Sequence, residues 1–149
     1  DVVLDEFIHN ATLGERDFYG SLGLWLQDDG RYLDGAIAEL LARDFVVALT
    51  ADHGHTEAVG IGQPSDGILA ETRGKRGRLY EDDCTAKTVK QGYAGTSLWA
   101  ADDLLPKGVV GVVHHGRGAF APPRATVVSH GGITMDEVIV PFVIIRAAD

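Results

Sequence analysis

The residues best suited to chemistry in this sequence form one short segment, Asp52-His53-Gly54-His55. The segment follows an uninterrupted apolar run at 45–49, which is typical of a parallel strand covered on both faces. Carboxylate and imidazole side chains together suit a divalent ion such as zinc or manganese, and glycine lets the backbone turn sharply beside an ion. We therefore predict Asp52 and His53 as metal ligands, with His55 contacting metal or substrate. The alternative is that Asp52 caps the next turn and both histidines are solvated.

Two further histidines follow apolar runs. Asp5 and His9 come after the run 2–4, and their spacing places both on one face of a helical turn, where they can share an ion. His130 follows the run 126–128 and precedes two glycines. Ligands of open α/β sheets bind beyond the carboxyl ends of the strands, so three such strand ends can assemble one site. Taken separately, the Asp5 and His9 pair can be coincidental, and His130 can be an ordinary loop residue.

The elements that would position these residues follow an α/β order. A strand at 2–4, a helix with apolar residues at helical spacing over 31–43, and a strand at 45–49 make a βαβ unit. Residues 60–83 are expected to form a long loop or small hairpin, and 84–105 one or two helices. Further strands are predicted at 109–113, 125–128 and 142–145, and a capping box from Thr134 to Glu137 is expected to start a short helix that Pro141 ends. The sequence thus predicts an α/β fold with a mostly parallel sheet flanked by helices and an irregular middle insertion.

Composition and charge restrict the classes of function. Thirteen Lys and Arg against 22 Asp and Glu give a net charge of −9, so the chain has no general field for binding nucleic acid. A composition of 45% hydrophobic and 23% charged residues is ordinary for a globular domain. With Cys84 as its one cysteine, the chain has no internal disulfide, and a reducing, cytoplasmic location fits. No apolar run approaches the roughly 20 residues that a membrane-spanning helix needs.

Four cations lie within residues 73–78 of this acidic chain. Arginine matches phosphate oxygens with two parallel hydrogen bonds. On this basis Arg76 and Arg78 are predicted to bind a phosphate-bearing substrate. The alternative is a solvated hairpin whose charge is balanced by the acidic residues 81–83.

In combination, these motifs resemble the alkaline phosphatase superfamily, and more closely the PglZ domain within it. The shared features are the Asp-x-x-x-His pair (Asp5, His9), the Asp-His-Gly that follows a strand (52–54), and the late segment that runs from His130 through two glycines to Pro141. Their order and rough spacing agree over nearly the whole chain. The resemblance implies that residues 1–149 are the C-terminal part of a single PglZ-like domain.

The resemblance also implies a chemistry. It assigns Asp5, His9 and His130 to one divalent ion, and Asp52 and His53 to half of the shell of a second. Zinc is the first expectation for both ions, with manganese or magnesium as alternatives. The family's nucleophile and a further Asp lie upstream of the matching region, so the catalytic nucleophile is expected outside this chain. The implied activity is hydrolysis of phosphate esters, with two ions clamping an in-line displacement at phosphorus, and residues 1–149 alone are expected to be inactive.

Substrate and partners follow from the resemblance alone. PglZ proteins are associated with bacterial defence against phage and with signalling, which makes a nucleotide the first substrate class. The rest of the same polypeptide and other defence proteins are the expected partners, and no membrane is expected. One alternative is a sulfatase or phosphomutase of the same superfamily. Another, of a different class, is a scaffold module that performs no chemistry within a larger complex, although five filled ligand positions favour the enzyme.

Overall fold

The computed structural model describes residues 15–28, 30–65, 74–100 and 104–148. The helices there are α1 (Glu15–Gln27), α2 (Arg31–Ala42), α3 (Asp83–Gly92) and α4 (Met135–Val138). The strands are β1 (Val47–Thr50), β2 (Thr56–Gly60), β3 (Gly77–Tyr80), β4 (Thr96–Trp99), β5 (Val110–His114), β6 (Gly118–Ala119), β7 (Thr126–Ser129) and β8 (Phe142–Ile145). The protein is therefore of mixed α/β type, as the sequence predicts. None of the helices within these ranges is long and apolar enough to cross a membrane.

The described strands form three small sheets. β1 pairs with β8, β2 lies between β6 and β7, and β5 lies between β3 and β4. Among these strands every pairing is antiparallel except that of β2 with β6. The described part of the chain thus does not show the mostly parallel sheet flanked by helices. The strand predicted at 2–4, which would be the parallel neighbour in a βαβ unit, lies outside the described residues.

The β1–β8 ribbon exposes apolar side chains. The sequence predicts a fully covered strand at 45–49, whereas the observed strand is β1 and most of its side chains are exposed. Leu49 is 49% exposed, and Phe142 on the partner strand is 69% exposed. Soluble monomers seldom leave contiguous apolar patches open to water. The ribbon therefore has the composition of an internal strand pair but the exposure of a surface.

The main core lies between the β3-β5-β4 sheet and α3. Its buried members are Tyr80, Ala86, Val89, Val110, Val112 and Phe120. The Asp82 side chain caps α3 by accepting a hydrogen bond from the Thr85 amide at 2.7 Å, which satisfies one of the amides that a helix start leaves open. A second, smaller cluster of alanines joins β2 to β6. The residues of both clusters all lie between positions 58 and 127 of the chain, from β2 to the start of β7.

The middle of the chain is more regular than the sequence suggests. β3 lies inside the region predicted as a loop or hairpin, and β2 was not predicted. For residues 84–105, where one or two helices are expected, the described residues form one helix, and the strand β4 follows it over Thr96–Trp99. Gly95, in the turn between α3 and β4, has a φ of 76°, a value that favours glycine. The β-favouring residues that follow pair with β5, so long-range pairing decides the structure there.

Candidate metal centre

Three histidines from two distant parts of the chain meet at one place. His53, His55 and His130 each offer a ring nitrogen, and these atoms all lie within 4.8 Å of one another. The rings of His53 and His130 stack with centroids 3.8 Å apart. The ring of His55 lies edge-on to both, at 5.0 Å from His53 and 5.1 Å from His130. All three side chains are half-buried, so the group is partly in contact with solvent.

Strand pairing explains why His55 faces His130. β2 and β7 are antiparallel neighbours, and their register pairs Thr56 with Ser129. Continuing that register by one residue places His55 opposite His130, just beyond the end of both strands. Directly opposite residues of antiparallel strands have Cβ atoms about 4.5–5.5 Å apart. The register therefore sets the distance between these two imidazoles.

His53 reaches the same place from the end of β1. The Thr50 hydroxyl donates to the Pro141 carbonyl at 2.9 Å, which fixes the end of β1 against the start of β8. The Gly54 amide donates to the Glu137 carbonyl at 2.8 Å. A Cβ on Gly54 would overlap the carbonyl oxygen of Asp136, so only glycine lets this turn lie against α4. The Asp-His-Gly motif thus needs its glycine for close backbone packing.

The hydrogen bonding of His53 prepares it to bind a metal ion. Its Nδ1 lies 3.2 Å from the Gly54 carbonyl oxygen. A carbonyl can only accept, so in the neutral ring Nδ1 carries the proton and Nε2 keeps its lone pair. Metal-binding histidines commonly donate their other ring N–H to a carbonyl in this way. His53 is therefore held in a tautomer suited to ligation through Nε2.

Asp52 lies beside the three histidines. One of its carboxylate oxygens is 3.7 Å from Nε2 of His53, and its side chain is 89% exposed. A hydrogen bond from its own amide and then the neighbouring His53 ring lower the pKa of the Asp52 carboxyl. The group is thus charged at neutral pH and next to the ligand atom of His53. It is not one of the three residues whose ligand atoms cluster.

The three imidazoles fit a zinc-like ion in kind and number. Zinc sites that do chemistry use three protein ligands and leave a fourth position open. Bonds of about 2.0–2.1 Å from zinc to nitrogen keep ligand atoms within about 3–4 Å of each other. The observed grouping within 4.8 Å is slightly wider than this range, so binding would draw the rings closer together. The group could therefore hold one divalent ion.

The structure brings together some of the predicted ligands. His53 and His130 lie in the group, with Asp52 adjacent, and His55, predicted as a contact to metal or substrate, belongs to the group itself. Asp5 and His9 lie outside the described residues. The pairing of β2 with β7 brings His55 to His130. In the sequence, the sign that these residues meet is that each histidine-bearing segment follows a short apolar run.

Arg76 does not lie in a solvated loop. It is fully buried, and its Nε and Nη2 donate to the two carboxylate oxygens of Glu137 at 2.9 and 2.8 Å. Its Nη1 donates to the Gly118 carbonyl. Because these groups are occupied inside the protein, Arg76 has no N–H edge facing a substrate in this structure.

Arg78 is also buried, at 8% exposure, with its guanidinium 5.3 Å from the centre of the Phe120 ring. Arg78 and Tyr80 are the buried residues of β3, and the buried Arg76 directly precedes the strand. Arg76 and Arg78 therefore belong to the interior beside the β3-β5-β4 sheet. Local sequence could not show this, because the Arg76 partner is Glu137, from the far end of the chain.

Glu137 has a larger role than the helix cap that the sequence predicts. The capping box is confirmed: the carboxylate accepts from the Thr134 amide at 3.1 Å and from its hydroxyl at 2.7 Å. The same carboxylate accepts from the Gly132 amide at 2.8 Å and from Arg76. Burial alone would raise the pKa of Glu137, but the hydrogen bonds from Arg76, Thr134 and Gly132 lower it to about 2. Glu137 is thus a buried, charged and fully bonded carboxylate.

His114 lies in the same interior. It is fully buried, and neither ring nitrogen has a hydrogen-bond partner among the described residues. Its ring lies 4.4 Å from that of Phe120. Burial first, and then the charge of Arg76, lower the pKa of His114 to about 4. His114 is therefore a neutral core residue at physiological pH and not a member of the histidine group.

No protein-family model, curated protein or solved structure matches this chain. The geometry of the histidines and the motifs that contain them are therefore the evidence on function.

Proposed function

We propose that this protein is part of a metal-dependent hydrolase of phosphate esters, of the PglZ type within the alkaline phosphatase superfamily. The observation that carries the proposal is the meeting of His53, His55 and His130, whose ligand atoms lie within 4.8 Å of one another. Two of these residues belong to the motifs on which the resemblance depends. A solvated-loop explanation of those motifs gives no reason for the three rings to converge.

The roles of the residues follow from their contacts. His53, held by the Gly54 carbonyl, presents Nε2, while His55 and His130 complete a half-buried group. Asp52 places a negative charge next to the ligand atom of His53. A bound divalent ion would supply Lewis-acid stabilisation of charge on a phosphoryl oxygen. The resemblance implies two ions, with Asp5, His9 and His130 on one and Asp52 and His53 on the other, so we propose Asp5 and His9 as further ligands.

The larger fold belongs to the same proposal. We propose that the β1–β8 ribbon is the exposed portion of a mostly parallel sheet flanked by helices. The exposure of Leu49 and Phe142 supports this, because covering them would stabilise the protein by about 25 cal/mol per Å² of buried apolar surface. Cover would come from residues outside the described ranges or from the rest of a longer polypeptide. The predicted strand at 2–4 is the first candidate for the next strand.

The substrate and setting remain those of the resemblance. We propose a phosphate ester, with a nucleotide as the first class to test, in a cytoplasmic system of defence or signalling. The nucleophile is proposed to come from outside this chain. On this proposal residues 1–149 bind metal without turning over substrate.

Metal analysis of the purified chain tests the proposal. We expect stoichiometric zinc or manganese by elemental analysis, and its loss in the variants His53→Ala and His130→Ala, with His115→Ala as an exposed control. Hydrolysis of bis(p-nitrophenyl) phosphate should be absent from residues 1–149 alone. A folded protein that takes up no divalent ion would overturn the proposal.

The second candidate function is a scaffold module. The exposed apolar ribbon favours it, since such patches mark surfaces that associate with other proteins. The two functions differ in their need for the histidines. A scaffold would assemble equally well with all three replaced by alanine, whereas the hydrolase would lose its ion.

A further inference from the structure

We propose that Glu137 is the residue that positions the histidine group, and that buried Arg76 holds Glu137 in place. This inference rests on the proposed metal function of the histidines and assigns the contacts that keep them in register. Glu137 is not among the residues whose ligand atoms cluster. It would act instead by holding in place the two backbone segments that carry the histidines.

The side chain of Glu137 orders the segment that carries His130. Its carboxylate accepts hydrogen bonds from the Gly132 amide at 2.8 Å and from the Thr134 amide and hydroxyl at 3.1 and 2.7 Å. A Cβ on Gly132 would lie 2.7 Å from both Glu137 and Arg76. The loop after His130 is therefore wrapped closely around one carboxylate.

The main chain of Glu137 orders the segment that carries the other two histidines. Its carbonyl accepts from the amide of Gly54, the residue between His53 and His55, at 2.8 Å. One turn of helix thus contacts both ligand-bearing segments, one by side chain and the other by backbone. A shift of residue 137 would move the two segments relative to each other.

Arg76 makes this arrangement rigid. Its two parallel bonds to the carboxylate are fully buried, at 0% and 1% side-chain exposure, and its third group is anchored to the Gly118 carbonyl. Bidentate pairs fix orientation as well as charge. Arg76 directly precedes β3, a strand of the main core. Its bonds therefore fix the position of the carboxylate relative to that core.

The experiment compares two double variants of the full chain. Breaking one member of a buried ion pair leaves an uncompensated charge and can unfold the protein, so both charges are removed together. Arg76→Met with Glu137→Gln keeps one oxygen, which can accept from the Thr134 amide and hydroxyl because both bond the same carboxylate oxygen, whereas the bond from Gly132 is lost. Arg76→Met with Glu137→Leu keeps similar volume without any acceptor. Glu39→Gln with Arg43→Met removes an exposed ion pair and serves as the control.

The readouts are zinc affinity, by competition with a chromogenic chelator, and the visible spectrum of the cobalt-substituted protein. We expect the Leu variant to lose about 10- to 100-fold in affinity, the range typical when groups supporting metal ligands are removed, with a changed cobalt spectrum. The Gln variant, which keeps the acceptor for Thr134, should lose less affinity than the Leu variant, and the control should be unchanged. Equal affinity in the Leu and wild-type proteins, both folded, would overturn the inference, as would equal losses in the Leu and Gln variants.

Amide hydrogen exchange separates failure of this inference from failure of the proposed function. If the wild-type chain binds no metal, the proposed function is wrong, yet the positioning claim still predicts loss of protection at Gly132 and Gly54 in the Leu variant. The carbonyl of residue 137, which accepts from the Gly54 amide, is present in every variant. Faster exchange at the Gly54 amide would therefore show that the side chain of residue 137 holds the backbone in position. Unchanged protection at both amides, with β5 amides protected throughout, would overturn the positioning role.

Discussion

The imidazole rings of His53 and His130 lie nearly parallel, with centroids 3.8 Å apart and an interplanar angle of 12°. Two stacked rings alone offer a poor cage for an ion, because their nitrogens point along similar planes. The third ring, His55, meets His53 at 65° and His130 at 77°. His55 would therefore direct a ring nitrogen toward the ion from an angle that the stacked pair does not provide.

His55 is therefore expected to matter as much for metal binding as the residues of the recognisable motifs. Replacing His55 with alanine should weaken zinc binding on the order of 100-fold, since zinc-site free energies of about 10–16 kcal/mol are shared among about four ligands. Titration calorimetry measures the change. The exposed His115→Ala serves as the matched control, and equal affinity of the two variants would count against the three-histidine site.

Acid should destabilise this protein in two steps. His114 is held neutral with a pKa of about 4, against an ordinary value of 6.5, so the unfolded chain takes up a proton that the folded chain does not. Stability is therefore lost as the pH falls from 6.5 toward 4. Glu137 repeats the effect between 4.5 and about 2, because its folded pKa is also lowered.

The upper step is assigned by the variant His114→Leu, which has no group to protonate. Urea unfolding at a series of pH values should show a flatter profile between pH 6.5 and 4 in this variant, with stability at neutral pH equal to or above wild type. A buried polar ring without partners costs about 1–3 kcal/mol, so the loss of the ring is not expected to destabilise. An unchanged slope in that interval would show that His114 is not the titrating group.

Glu137→Ala alone should be among the most damaging single changes. It leaves the buried guanidinium of Arg76 without a counter-charge, which typically costs about 3–5 kcal/mol. Urea denaturation compares it with Glu39→Ala, which breaks the exposed pair with Arg43 and should cost only about 0.3–0.5 kcal/mol. Similar losses in the two variants would show that burial of the Arg76 pair contributes little.

The β1–β8 ribbon should make residues 1–149 self-associate. Phe142 and Val143 are 69% and 46% exposed on a strand whose partner, β1, is also largely exposed, and such surfaces pair with other chains. Light scattering should detect oligomers of the wild type, and Phe142→Lys with Val143→Glu should shift the protein toward monomer without altering zinc binding. A wild-type chain that is monomeric at high concentration would contradict this.

The sequence predicted the parts of this structure that depend on local patterns. Helix α2, strands β5, β7 and β8, and the capping box at Thr134 follow from periodicity and from residue spacing. The side chains of His53 and His130 were identifiable because each stands beside a short apolar run. The location of Asp5 and His9 remains a prediction.

What the sequence could not show depends on contacts between distant residues. Arg76 sits in a run of cations that indicates a solvated or phosphate-binding loop, and only its pairing with Glu137 reveals a buried structural role. His55 joins the group because β2 pairs with β7, and β2, with the sequence Thr-Glu-Ala-Val-Gly, is too polar to be recognised as a strand. The exposure of β1 was unexpected for the same reason: an apolar run indicates a covered strand but not where the cover comes from.

The register of β2 against β7 has a kinetic consequence. His55 and His130 become neighbours only after strands from the two ends of residues 56–129 have closed on each other, and closure of long loops is slow relative to local helix formation. When the metal-free chain refolds in the presence of a divalent ion and a metal indicator, the indicator signal would thus not change while α2 and α3 form. Ion capture would mark the completion of this sheet, and its rate would be the rate of that closure.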